Sequence, residues 1–73
     1  MSAADLSERD MSAVFRVLGA KLGCERIDEL RDVLTILESQ GAVWLELRWD
    51  TITVHLPAAG GGESLQVVRQ PEA

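Results

Sequence analysis

Apolar and polar residues alternate along Ala42 to Pro57, and the alternation slips by one place at Trp49 and Asp50. A period of two marks a half-buried strand, and the slip marks where the chain turns back. With the reversal centred between Trp49 and Asp50, Leu47 meets Ile52, Leu45 meets Val54 and Val43 meets Leu56 on one face. On the other face Arg48 meets Thr51, Glu46 meets Thr53 and Trp44 meets His55. One register satisfies every apolar pair, and a shift by one residue would turn them all to water. Trp-Asp is a poor two-residue loop, which favours Asn-Gly or Asp-Gly. A four-residue loop from Arg48 to Thr51 keeps the pairing with less strain; a bulge in one long strand is the competing reading.

Upstream the period changes. Met11, Val14, Phe15, Leu18 and Leu22 follow the three-four spacing of an amphipathic helix from about Asp5 to Leu22. Asp5 with Glu8, or Ser7 with Asp10, offers the N-terminal cap. Lys21 suits the negative end of the dipole, and Gly23 supplies a residue able to end the helix at positive φ. Gly19 is either a weak spot or a place of close backbone approach. A second stripe, Ile27, Leu30, Val33, Leu34 and Leu37, predicts a helix from about Glu25 to Gln40, closed by Gly41. A link as short as Gly23 and Cys24 favours an αα-hairpin with facing stripes.

Beyond Pro57, residues 58–63 read as a flexible glycine-rich connector. Ser64 to Arg69 contains Leu65, Val67 and Val68 and reads either as a third short strand beside Thr51–Leu56 or as a loosely held tail. The pattern therefore predicts an α+β fold: an N-terminal αα-hairpin packed on a C-terminal antiparallel β-hairpin, with room for a third strand. The single domain is expected over residues 5–57, with 1–4 disordered and 64–73 forming the third strand and a disordered tail.

Composition narrows the picture. At 73 residues the core is thin, and domains of this size usually gain burial from disulfides, a metal or a partner. One cysteine and one histidine supply neither an internal disulfide nor a four-ligand metal site, which leaves association, first of all as a homodimer. No cofactor is expected. The net charge of −5 and the scatter of the seven basic residues argue against nucleic acid and against an anionic membrane surface. No apolar run approaches the ~18 residues of a membrane span. The polar N-terminus does not read as a secretory signal, and the lone cysteine fits a reducing, cytoplasmic setting.

Few residues suggest chemistry. His55 has Thr53, Trp44 and Glu46 as hairpin neighbours, with no nucleophile in view, and reads as a surface histidine stacked on Trp44. Cys24, expected at the start of the second helix, reads as a small residue in the corner between helices; a reactive thiol is the alternative. Asp28, Glu29 and Asp32 form a solvated acidic face, because no glycine-bearing calcium loop accompanies them. The glycines at 60–62 lack the following lysine of a phosphate loop. Trp44 is the informative residue: it lies opposite the apolar pairs, as an interface anchor would. Trp49 in the turn is a second anchor, and Glu46, Arg48 and His55 complete the candidate partner-binding set.

The sequence thus supports a small acidic non-enzymatic interaction module, a homodimer acting as an adaptor, chaperone-like partner or inhibitor, as many small acidic proteins of bacteria and their phages do. The alternative is a transcription-regulating or nucleic-acid-binding module. Leu34 to Val68 resembles, in outline, the end of a winged helix, which implies a basic recognition face. Here that face carries Asp28, Glu29, Asp32 and Glu38 against Arg26 and Arg31, the wrong sign for a duplex. Convergence of Arg16, Lys21, Arg26 and Arg31 on one surface would favour it.

Overall fold

The computed structural model describes residues 2–56 and 62–69. Most of the expected connector 58–63, the tail 70–73 and Met1 lie outside the described residues. A one-turn 3-10 helix, Ala3–Asp5, leads into α1 (Glu8–Leu18) and α2 (Ile27–Ser39), followed by strands β1 (Trp44–Leu47), β2 (Thr51–His55) and β3 (Ser64–Val68). The strands form one antiparallel sheet in the order β1-β2-β3. The fold is α+β, helices first and sheet second, with Ser64–Val68 as a true third strand.

The hairpin register is the one the alternation demands: Trp44 opposite His55, Leu45 opposite Val54, Glu46 opposite Thr53 and Leu47 opposite Ile52. β3 continues it with Thr51 opposite Val68, Ile52 opposite Val67, Thr53 opposite Gln66, Val54 opposite Leu65 and His55 opposite Ser64. Leu45, Ile52, Val54 and Val67 share the face that meets the helices. They close a single core with Met11, Val14 and Leu18 of α1 and Leu30 and Leu34 of α2.

The turn between β1 and β2 solves the Trp-Asp problem without left-handed backbone. No described non-glycine residue has positive φ, so the turn is not the mirror-image type that Asn-Gly serves. The Arg48 N–H donates to Thr51 O at 2.8 Å, and two further donors arrive from Arg69, the residue after β3. Arg69 Nη1 donates to Arg48 O at 2.8 Å, and the Arg69 N–H donates to Asp50 O at 3.0 Å.

Arg69 also reaches α1. Its Nε and Nη2 fork onto Asp10 Oδ1 and Oδ2 at 3.2 and 3.1 Å, and Asp10 is buried. Asp10 does take the Ser7 cap, donating its N–H to Ser7 Oγ at 3.1 Å. Its carboxylate, however, serves the end of β3. At the other end of the strand Lys21 Nζ pairs with Glu63 at 3.0 Å. The helix α1 and the turn that follows it therefore run along β3, tied near both ends of the strand.

Three boundaries differ from the sequence expectation. First, residues 2–4 join the domain. Ala3 and Leu6 are buried; the Ala3 N–H donates to Glu38 Oε1 at 2.7 Å; Arg31 Nη1 donates to the carbonyls of Ala3, Ala4 and Leu6. The polar composition of MSAADLSERD hides two small anchors whose partners are far off in sequence. Second, α1 ends at Leu18 rather than Leu22. Turn bonds, Leu22 N–H to Leu18 O and Cys24 N–H to Gly19 O, carry the chain through a wider corner than Gly23 and Cys24 alone. Third, α2 starts at Ile27, so Cys24 precedes the helix instead of opening it. Its C-terminus follows expectation: Gly41 has φ +72°, and the Gly41 and Ala42 N–H groups donate to Glu38 O and Leu37 O, the double closure of a Schellman motif.

At Gly19 the close neighbour is Phe15. A Cβ there would lie 2.7 Å from Phe15 O and 2.8 Å from its ring.

Candidate functional site

The helices cover one face of the sheet and leave the other open. Strand alternation and register give that open face three rows across the strands. They are Trp44, His55 and Ser64; Glu46, Thr53 and Gln66; and Arg48, Thr51 and Val68. Four of the five expected site residues, Trp44, Glu46, Arg48 and His55, therefore come together. Trp49 stands apart at the tip of the turn.

His55 organises the first row. Its ring stacks on the Trp44 indole, centroids 4.3 Å apart and planes 24° from parallel. Nε2 lies 3.0 Å from Glu46 Oε1, and Nδ1 lies 2.8 Å from Ser64 Oγ. An ionised carboxylate only accepts. In the neutral ring Nε2–H therefore donates to Glu46, and Nδ1 accepts the Ser64 hydroxyl. In the protonated ring both nitrogens donate, and the hydroxyl turns to accept. The network is satisfied in either charge state, so it fixes the imidazole against the indole. Glu46 Oε2 also lies 3.6 Å from Arg48 Nη2, so the charges on this face alternate and cancel.

Ser64 is the member the sequence reading missed. It enters the row only through the β2–β3 register, which no local pattern sets. The resulting order of hydroxyl, imidazole and carboxylate has the connectivity of a nucleophile with its base and orienting acid. It lies on an open, concave stretch of sheet of about 520 Å³, bounded by Glu46, Arg48, Asp50, Thr51, Thr53, His55, Ser64 and Gln66.

Trp44 keeps 59% of its surface exposed despite the stack, and Trp49 keeps 87%. The two indoles are the largest apolar side chains left in water among the described residues.

The other candidates separate from this face. Cys24 is buried, and burial, seconded by the charge of Glu29, pushes its thiol pKa up, the opposite of a reactive cysteine. Among the described residues no group of three or more His, Cys, Asp and Glu side chains is arranged to hold a metal. Three of the four basic residues named above are engaged within the chain, while Arg16 lies beside Arg9 on α1. Arg31 is spent on backbone carbonyls, Lys21 on Glu63, and Arg26 lies 3.6 Å from Asp28. No helix among the described residues is long and apolar enough to cross a membrane. No protein family, curated protein or solved structure matches the chain.

Proposed function

We propose that this protein is a non-enzymatic interaction module that works as a homodimer, with the open face of the sheet as its docking surface. The exposure of Trp44 on a face otherwise neutral and hydrogen-bonded within itself carries the reading. The same face is self-complementary in charge. A two-fold axis crossing the strands between Glu46 and Arg48 sets each Arg48 against the other copy's Glu46. It also brings Trp44 of one copy toward the turn of the other, where Trp49 projects. The helices then lie on the outside, and both tryptophans leave water in one interface. Roles as an adaptor, a chaperone-like partner or an inhibitor all fit such a dimer.

Light scattering on a size-exclusion column tests this reading, with wild type run beside Trp44→Ala and Trp49→Ala. A dimer at micromolar concentration that dissociates in the Trp44→Ala variant is the expected outcome. A wild-type monomer unchanged by either substitution overturns it. For the nucleic-acid alternative, tight and salt-sensitive binding in a duplex mobility shift would reverse the order; Lys21, Arg26 and Arg31 are each already paired within the chain.

A further inference from the structure

The sheet has two edges, and they are not alike. In an antiparallel ladder the backbone groups of successive residues point alternately toward and away from the neighbouring strand. The Arg48 N–H bonds to Thr51 O, so the groups that point away from β2 along β1 are those of Leu45 and Leu47. Leu45 is only 1% exposed, so this edge is covered at its middle by the chain itself. On β3 the bonds from Leu56 N–H to Glu63 O and from Arg69 N–H to Asp50 O turn the odd-numbered residues inward. The backbone groups of Ser64, Gln66 and Val68 then point outward, and all three residues are exposed.

Natural edge strands are guarded by lysine, proline, a bulge or a covering element. Among the described residues β3 has none of these: its outward positions are uncharged, and its register with β2 runs unbroken from Ser64 to Val68. Apolar surface flanks it on both sides. Val68 is 69% exposed on the open face, and Val17 is 43% exposed on α1. Val17 lies two turns from Asp10 along α1, the helix that Asp10 ties to Arg69.

We propose that the β3 edge accepts an extended segment of a partner protein, uncharged along its central residues, as a fourth strand, with apolar side chains on the side facing α1. A second copy does not fit this edge. α1 and the turn after it follow β3 from Asp10–Arg69 at one end to Lys21–Glu63 at the other. Pairing two β3 edges about a two-fold axis would bring the two α1 helices to about one strand spacing, roughly 5 Å, where packed helices need about 8–10 Å. A bare strand meets no such obstacle. Its main-chain bonds supply affinity, and the Val17 flank supplies side-chain selection. The inference rests on the interaction-module reading but uses the backbone edge that borders the Trp44 face.

The probe is a synthetic peptide of the β3 sequence Glu63–Arg69, acetylated and amidated. Antiparallel about Gln66, it sets Ser64 against Val68, Leu65 against Val67 and Glu63 against Arg69, with no helix attached. Added at about 1 mM to the isotope-labelled full chain, it is expected to give saturable shifts at the amides of Ser64, Gln66, Val68 and Val17. Hydrogen exchange at the first three should slow by about tenfold or more. Gln66→Pro removes an outward N–H and no internal ladder bond, so it should keep the fold and lose the shifts. If that variant does not fold, Val68→Lys serves, with binding weakened by about tenfold. No shift at these amides, shifts confined to Trp44 and His55, or undiminished binding by a folded variant overturns the proposal. A Trp44-dependent dimer that ignores the peptide sinks the edge alone; a monomer that binds it at β3 sinks the dimer alone.

Discussion

Arg69 uses all three guanidinium nitrogens and its backbone N–H to join elements that share no sequence neighbourhood. Removing one partner of a buried ion pair is expensive because the other is left charged and dry. Arg69→Met should therefore lower unfolding free energy by roughly 3 kcal/mol, and Asp10→Leu with Arg69→Met should recover most of it. Urea unfolding measures both; a loss under about 1 kcal/mol would reduce the clasp to an ordinary surface pair. At Cys24 the sign of the pH effect follows from the raised thiol pKa. The folded state holds its proton to higher pH than the unfolded chain does. That contribution to stability is complete below the ordinary thiol value and is lost as pH climbs past it toward the folded one. The difference in unfolding free energy between wild type and Cys24→Ala should narrow or reverse over that range. A pH-independent difference would mean the thiol is not perturbed.

Among the elements, the hairpin was the most legible, because its two strands must agree on every apolar pair and only one register does. The α2 C-terminus was legible for a similar reason: Gly41 closes a pattern that had already run its length. The end of α1 was not, since Leu22 keeps the three-four spacing while lying in the turn beyond the helix. Gly19 is where that change occurs, and its lack of a side chain is used by Phe15. Gly19→Ala should cost about 1–3 kcal/mol through overpacking. Adding Phe15→Leu should recover part of this, because the ring contact goes while the carbonyl contact stays. Chemical denaturation of the pair of variants tests it, and a neutral Gly19→Ala would show that the corner yields freely.

For the molecule as a whole, the sequence located the open face but not its wiring. Trp44, Glu46, Arg48 and His55 could be grouped from strand alternation alone. Ser64 could not, because its row is set by a crossing from β2 to β3 through a connector with no periodicity. The packed segment Ser2–Ala4 and the Arg69 clasp escaped for the same physical reason: their partners lie far along the chain, and one charge in a weakly patterned stretch carries no periodic signal. If the Trp44 face joins two copies, the melting temperature of wild type should rise with protein concentration while that of Trp44→Ala stays flat. Calorimetry across a wide concentration range reads this directly, and a flat wild-type curve would count against the dimer.

The bond between Asp10 and Arg69 spans nearly the whole described chain, and its timing follows from that. On a translating ribosome the residues of both helices and the first hairpin leave the exit tunnel before residue 69 does. Until then Asp10 lacks the Arg69 guanidinium, and the hairpin turn lacks two of its donors. A nascent chain stalled just short of that residue should remain open to protease, and one stalled well beyond it should become resistant in a single step.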